Sequence, residues 1–215
     1  ANSLVGLTSS TGLSTAVFDH AMVIAPKACF CKDSQGSVFS SLLGKADGQL
    51  ALQIGADVAP GLLGGLSGTR TATGNQLTVA VLADKVSHHA SPARAEAIRK
   101  LVAAADLATA GKNHILLLLD TQEHVAAAVN AVGRALPTFT RKTAAATEAS
   151  LMITCALRNG EILPVAPVLQ DLVHTARAMA QLVDTPPTEL DPSALSLAAR
   201  AMLKPSRGVK LREIV

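Results

Sequence analysis

The sequence predicts an α/β fold in three layers, with helices covering both faces of a mixed β-sheet. The 215 residues, of which 49% are hydrophobic, suffice to bury a sizeable core. Segment 114–120 is almost uniformly apolar, which is typical of a strand buried on both faces by helices. Runs of β-type residues alternate along the chain with apolar residues at helical spacing, and this alternation favours an α/β architecture.

The first third of the chain contains one strand and two helices. Residues 16–24 form a strand region that Pro26 closes, and helices follow over 38–43 and 47–58. Gly48 and Gly55 weaken the second of these helices. Residues 60–75 contain five glycines, and this composition predicts a loop.

Strands and helices then alternate up to residue 183. A strand is expected over 76–82. Ser91 is a suitable N-cap and Pro92 suits a first helical turn, so this pair predicts that a helix follows the strand. The remaining expected elements are a strand over 114–120, a helix opening at Thr121, an extended piece over 137–140, a strand over 148–157, a turn at Asn159-Gly160 and a helix over 165–183.

Two consecutive prolines interrupt the helical pattern near the end of the chain. Pro186 and Pro187 lack amide donors and end the helix, whereas Asp191 is a good N-cap and Pro192 fits a first helical position. A second helix over 192–203 should therefore start at once, with a strand over 209–215 after it. The six hinge residues of this junction are Asp184, Thr185, Pro186, Pro187, Asp191 and Pro192.

This junction resembles the one between the non-catalytic and catalytic domains of the leucyl aminopeptidase (cytosol aminopeptidase) family. The resemblance rests on Leu-Val-Asp-Thr-Pro-Pro-Thr-Glu-Leu-Asp-Pro at 182–192, although that family usually has asparagine at the positions of Asp184 and Thr188. Segments 86–92 and 135–141 are similar to the branch called probable aminopeptidase-like proteins. The resemblance covers roughly residues 79–215.

The resemblance implies a domain organisation. Residues 1–183 would be an N-terminal, macro-domain-like, non-catalytic domain, residues 184–208 a linker with a helix, and residues 209–215 the start of a truncated catalytic domain. The metal-binding motifs of the family do not occur in this sequence, so no catalytic, cofactor-binding or metal-ligating residue is assigned.

The resemblance also implies properties of the parent protein. That protein would be a two-metal (zinc or manganese) aminopeptidase that acts on peptides. It would assemble as a homohexamer in which this domain limits access to the active sites. The partners of this domain would be its own catalytic domain and further copies of the chain.

Composition excludes several other classes of protein. No apolar run approaches the length of a membrane-spanning helix. A net charge of +3 and only four aromatic residues argue against a nucleic-acid partner. Three cysteines cannot all pair, which favours a reducing, cytoplasmic location.

Four local features are candidate sites, and each also has a structural or solvent-exposed interpretation. His88-His89, expected at a strand end, lack an acidic partner at ligand spacing. Cys29 and Cys31, expected on one face of a strand, have too few companions for zinc and are interpreted as buried apolar residues. His114 and His124 are interpreted as polar groups at the edge of the core.

The remaining candidate features are a glycine-rich loop and two basic clusters. Loop 61–68 could hold a phosphate on its amides, but it lacks the sequence context of a nucleotide site. The basic clusters are interpreted as solvated surface: Arg134, Arg141 and Lys142 form one, and Lys204, Arg207, Lys210 and Arg212 the other.

Two functions other than an aminopeptidase domain remain open from the sequence. One is a stand-alone interaction or assembly module without peptidase activity. The other is a macro-like nucleotide binder, which binding of ADP-ribose would reveal.

Overall fold

The computed structural model describes residues 18–31, 36–105, 107, 111–136, 149–203 and 212. The strands in this part of the chain are β1 (His20–Pro26), β2 (Gly65–Arg70), β3 (Gln76–Leu82), β4 (Gly111–Leu119), β5 (Ala149–Leu157) and β6 (Ile162–Leu163). The helices are α1 (Gly36–Leu43), α2 (Lys45–Asp57), α3 (Ala95–Ala104), α4 (Val125–Ala135), α5 (Pro167–Asp184) and α6 (Pro192–Leu203). Short 3₁₀ helices lie at Lys27–Phe30 and Gln122–His124.

The strands form one mixed sheet in the order β2-β3-β1-β4-β5-β6. The four inner strands run parallel to one another, whereas β2 and β6 pair antiparallel at the two edges. This sheet confirms the predicted α/β class with a mixed sheet.

Apolar side chains fill the space on both faces of the sheet. In β4, Ile115, Leu117 and Leu119 pack into the core beneath α3, α4 and α5, and Leu116 and Leu118 pack into the core beneath α1 and α2. Every residue of β4 from 113 to 119 is buried. The uniform apolar run at 114–120 therefore predicted its two-sided burial correctly.

The glycines that weaken two helices by propensity permit close packing. A Cβ atom on Gly48 of α2 would lie 2.6 Å from the backbone of Phe39 in α1. A Cβ atom on Gly133 of α4 would lie 2.4 Å from Cγ1 of Val173 in α5. Both glycines thus set the distance between neighbouring helices, and packing compensates for their poor helix propensity.

The prediction of a loop over 60–75 was wrong for residues 65–70, which form β2. This segment, Gly-Leu-Ser-Gly-Thr-Arg, lacks the alternating pattern of a half-buried strand. It is a strand because it pairs antiparallel with residues 76–81 of β3 along its full length. Tertiary pairing therefore overrides a composition typical of a loop.

Other boundaries also differ from those predicted. Strand β4 begins at Gly111 rather than at His114. Helix α3 begins at Ala95, because Ser91-Pro92 forms a separate turn closed by the bond from the Arg94 amide to the Ser91 carbonyl. The extended piece predicted over 137–140 and the strand predicted over 209–215 fall outside the described residues, Arg212 excepted.

The two helices around the proline pair agree with the prediction. Helix α5 ends at Asp184, just before Pro186 and Pro187. Helix α6 begins at Pro192, and the side chain of Asp191 accepts a hydrogen bond of 2.7 Å from the amide of Ala194. None of the helices described is both long and apolar enough to cross a membrane.

Candidate functional site

A group of charged residues lies at the carboxyl edge of the sheet. From β1 the chain moves to β3 on one side, and then passes to β4 and β5 on the other side. Ligands of open α/β sheets bind at such a reversal, outside the carboxyl ends of the strands. We call the charged residues at this edge the carboxyl-edge cluster: Lys27, Asp84, Arg94, Asp120 and Arg158.

Asp120, which directly follows β4, is the centre of this cluster. Its Oδ2 accepts a hydrogen bond of 2.7 Å from Arg94, and its Oδ1 accepts one of 2.6 Å from Nε of Arg158. Arg158 directly follows β5, and its NH2 group forms a second contact with the same oxygen. One carboxylate therefore joins the end of β5 to the turn that precedes α3.

The two arginines also determine the charge state of Asp120. Partial burial alone would raise the pKa of this carboxyl group. The hydrogen bonds and positive charges of Arg94 and Arg158 outweigh burial and lower that pKa below its usual range. Asp120 is thus a carboxylate at neutral pH.

Arg94 has an uncommon backbone conformation. Its φ of 53° and ψ of 32° place it in the left-handed region, which no other non-glycine residue in the described part of the chain occupies. This conformation costs of order 1 kcal/mol or more and persists where surrounding contacts enforce it. The guanidinium also donates to the carbonyl of Asp84, at 3.0 Å, while its buried Nε has no hydrogen-bond partner.

The other members of the cluster bind backbone groups. Oδ1 of Asp84 accepts a hydrogen bond of 2.8 Å from the amide of Ala28. Nζ of Lys27 donates to three carbonyls at the carboxyl end of α2, those of Gly55, Ala56 and Val58, at 3.0, 2.7 and 2.8 Å. A cation is well placed there because the last carbonyls of a helix lack intrahelical partners.

The cluster therefore crosslinks the ends of the strands. The positive groups of Lys27, Arg94 and Arg158 are directed at carbonyls or at Asp120. Asp120 already supplies the anion that Arg94 and Arg158 bind. This arrangement gives the macro-like nucleotide-binding hypothesis no support.

Two buried histidines that belong to strands of the sheet are structural. Nε2 of His114 forms a hydrogen bond of 3.1 Å with Thr154, and its ring stacks on Phe18 at 4.6 Å. Burial lowers the pKa of His114 to about 4, so this ring is neutral at physiological pH. On β1, His20 bonds Thr78 of the neighbouring strand at 2.8 Å. His124, by contrast, is only partly buried.

The predicted placement of His88-His89 was wrong in its local structure. Both side chains are exposed in a turn beyond the end of β3, with ring centroids 5.4 Å apart. Among the described residues, no group of three or more histidine, cysteine or acidic side chains could hold a metal ion.

The prediction that Cys29 and Cys31 lie on one face of a strand was wrong, as was the expected burial of Cys31, whereas the expected burial of Cys29 is confirmed. Cys29 and Cys31 lie in and just after a 3₁₀ helix, with Cys29 buried and Cys31 exposed. Burial raises the pKa of Cys29 to about 11, so its thiol is a poor nucleophile at neutral pH. The third cysteine, Cys155, is buried in β5.

The glycine-rich segment and the basic clusters do not form a site in the described part of the chain. Residues 65–68 of that segment belong to β2, where they pair with β3 rather than form a free anion-binding loop. Arg134 and Arg212 are exposed. The other members of the two basic clusters lie outside the described residues.

The six hinge residues form an ordered connection between α5 and α6. The hydroxyl of Thr185 donates to the carbonyl of Gln181 at 2.7 Å, and the carbonyl of Pro186 accepts from the amide of Leu190 at 3.0 Å. Asp184 and Pro187 are exposed, and Asp191-Pro192 starts α6. Backbone and cap bonds thus fix the path of the chain here.

An open groove of about 430 Å³ lies between the carboxyl-terminal parts of α4 and α5, and we call it the α4–α5 groove. Arg177, which lines it, is 6% exposed and donates from Nε to the carbonyl of Leu136 at 3.1 Å. Arg134 and Asp184 also line the groove. Its apolar lining consists of Leu136, Ala176, Met179, Ala180 and Val183.

Sequence reasoning did not single out Arg94, Asp120, Arg158 or Arg177 as functional candidates. Asp120 and Arg158 carry a usable signal, because each directly follows a parallel strand and such positions meet at one edge of a sheet. Arg177 carries a weaker one, because an arginine among the apolar positions of a helix is uncommon.

Comparison with known proteins gives one family match. Residues 58–145 match the model of a family described as M17 aminopeptidase N-terminal domain 2. No curated protein sequence matches the chain.

Solved structures of aminopeptidases share the fold. Leucyl aminopeptidase from Leishmania major, in complex with actinonin, superposes with a TM-score of 0.68 at 22% identity, covering 91% of this chain and 39% of that one. Leucine aminopeptidase from Caenorhabditis elegans gives 0.66 at 17% identity, covering 89% and 38%. An M17 aminopeptidase from Trypanosoma brucei gives 0.66 at 18% identity, with the same coverage. This chain thus spans about two fifths of their length.

Proposed function

We propose, from the match of residues 58–145 to the model of M17 aminopeptidase N-terminal domain 2, that this chain is the non-catalytic, amino-terminal part of a leucyl aminopeptidase. The complete enzyme would release N-terminal amino acids from peptides. Residues 1–183 would form the accessory domain, residues 184–208 the linker, and residues 209–215 the start of the catalytic domain. The observation that carries this proposal is the family match over residues 58–145.

Two divalent metals, zinc or manganese, would belong to the catalytic part of the complete enzyme. The described residues of this chain do not fit such a centre, because they contain no suitable group of ligands. We therefore derive no catalytic step from them and assign this domain a role in assembly and in access to the active sites.

Exposed apolar residues on the last two helices support an assembly role. Isolated exposed apolar side chains are ordinary, but a concentration of them on two successive helices favours an interaction role. The large exposed apolar residues of α5 are Val168, Leu172, Met179 and Val183, and those of α6 are Leu195, Leu197, Met202 and Leu203.

The decisive experiment is an intact-mass measurement on the protein from its source cells, combined with an assay of leucine amide hydrolysis with manganese or zinc. A chain about 2.3 times as long as this one that hydrolyses the amide would support the proposal, since 89–91% of this chain covers 38–39% of three solved relatives. A chain of 22 kDa without activity would overturn it.

The same surfaces favour a second candidate function, a stand-alone assembly module. The 22 kDa inert outcome would support this alternative. We further propose a cytoplasmic location and a homohexamer. Three free cysteines agree with a reducing compartment, and native mass spectrometry of the complete protein would test the hexamer directly.

A further inference from the structure

Arg177 is a buried cation without a counterion among the described residues. Its residue is 6% exposed, and its only hydrogen bond within them is the one from Nε to the carbonyl of Leu136. No acidic residue stands three or four positions away on α5, where an intrahelical partner would have to lie. Burial is the sole cause that lowers the pKa of this guanidinium, with no carboxylate acting against it.

A largely buried guanidinium that makes a single hydrogen bond is energetically unfavourable. Removing a guanidinium from water is unfavourable unless hydrogen bonds and an opposite charge compensate the lost hydration. One bond to a carbonyl uses one of its five donors. The remaining donors suit a carboxylate, which binds arginine through two parallel hydrogen bonds.

The surroundings of Arg177 define what would bind there. The α4–α5 groove contains two cations, Arg134 and Arg177, against one anion, Asp184, and therefore has one surplus positive charge. Its remaining walls are apolar, and Met179 and Val183 expose their side chains to solvent. The chemistry of the groove thus matches a segment that presents a carboxylate next to a large apolar side chain.

We propose that the α4–α5 groove is a docking site in which Arg177 binds an aspartate or glutamate carboxylate from the catalytic part of the same polypeptide. This inference rests on the proposed function. Solved relatives with this fold are about 2.3 times as long as this chain, which leaves ample polypeptide to occupy the groove. Asp184, at the carboxyl end of α5, both lines the groove and begins the hinge, so the occupant need not come from a distance.

Thiol labelling of the complete protein and of the 215-residue chain tests the proposal. Cys31→Ser removes the exposed native thiol, and Val183→Cys places a reporter at a groove residue that is 82% exposed. Maleimide should label this reporter freely in the 215-residue chain and roughly tenfold more slowly in the complete protein. Ala72→Cys, in the exposed turn between β2 and β3, is the control reporter and should react equally in both.

Two variants in the α4–α5 groove test whether protection of the Val183→Cys reporter depends on the charge of Arg177. Arg177→Met removes the charge, whereas Ala180→Glu leaves Arg177 in place and supplies a carboxylate of the same helix three residues away. Both variants should restore fast labelling in the complete protein, because each removes the site for an incoming carboxylate. Arg70→Met, an exposed arginine of β2, should change nothing and controls for the loss of one positive charge.

The possible results distinguish a failure of the docking site from a failure of the proposed aminopeptidase function. An active complete protein in which the Val183→Cys reporter reacts as fast as in the 215-residue chain would overturn the docking site and leave the aminopeptidase function standing. Protection that disappears on dilution would identify a second copy as the occupant and would also overturn the proposal. A native chain of only 22 kDa, found by intact mass before labelling, would overturn both.

Discussion

Arg94 donates a hydrogen bond of 2.7 Å to Asp120, and this contact joins the turn before α3 to the carboxyl end of β4. The residues are 26 positions apart in the chain. Because Arg158 binds the other carboxylate oxygen, both arginine contacts at this edge depend on one acidic side chain.

Replacing Asp120 by asparagine should destabilise the protein. The change leaves two arginines without their carboxylate, and we expect a loss of about 2 kcal/mol in the free energy of unfolding, discounted for the partial exposure of the site. Urea unfolding followed by circular dichroism measures this loss, since the chain has no tryptophan or tyrosine for fluorescence.

Glu96→Gln provides the matched control for Asp120→Asn. Glu96 pairs with Arg99 on the exposed face of α3, so its replacement should leave the unfolding midpoint unchanged. Equal midpoints for Asp120→Asn and the unmodified protein would contradict a stabilising role of the cluster. The difference in unfolding free energy between Asp120→Asn and the unmodified protein should also shrink below about pH 4. A carboxyl group whose pKa is lowered in the folded state loses its contribution to stability as pH falls.

The burial of His114 should make stability depend on pH between about 4 and 6.5. Its folded-state pKa of about 4 lies below the ordinary value of 6.5, so in this range the unfolded chain binds a proton that the folded chain does not. Stability is therefore fully present above pH 6.5 and declines as pH falls towards 4. From pH 7 to pH 5 we expect a loss of about 2 kcal/mol from this residue.

His114→Gln isolates this contribution. The variant loses the stacking on Phe18 and should be less stable overall, but its free energy of unfolding should decline less between pH 7 and pH 5. Urea unfolding of both proteins at the two pH values gives the comparison. An equally steep decline in the variant would show that another group is responsible.

The three cysteines should differ in reactivity towards iodoacetamide. Cys31 is exposed, whereas burial raises the pKa of Cys29 to about 11 and that of Cys155 to about 12. Only the thiolate reacts, so at pH 8 the folded protein should gain one adduct and the urea-unfolded protein three, as counted by intact mass. Cys31→Ser should gain none when folded, and rapid modification of Cys29 would contradict its burial.

Asp191 should control the amino-terminal turn of α6 locally. Asp191→Ala removes the cap bond to the amide of Ala194, which is worth about 1 kcal/mol. Amides of residues 194–197 should then exchange with deuterium roughly fivefold faster, with no change in the interior of α5. Asp191→Asn keeps an accepting oxygen and should retain most of the protection, whereas an equal acceleration throughout α5 and α6 would refute a local effect.

The sequence by itself determined the elements whose signals lie within a few residues. The apolar run of β4 required burial on both faces, the proline pair required α5 to end, and Asp191-Pro192 required α6 to begin. These signals depend on the donors, shapes and periodicity of adjacent residues, which are the same in any tertiary context.

Only the tertiary structure decided the features that depend on distant pairing. Strand β2 exists because β3 offers it an edge, although its own composition is typical of a loop. Asp120 meets Arg94 and Arg158, which are 26 and 38 residues away, because parallel strands bring their carboxyl ends to one edge. Whether Cys31 is exposed and Arg177 buried likewise depends on which surfaces neighbouring elements cover. Strand order and helix packing decide such contacts, and neither is encoded in the local spacing of residues.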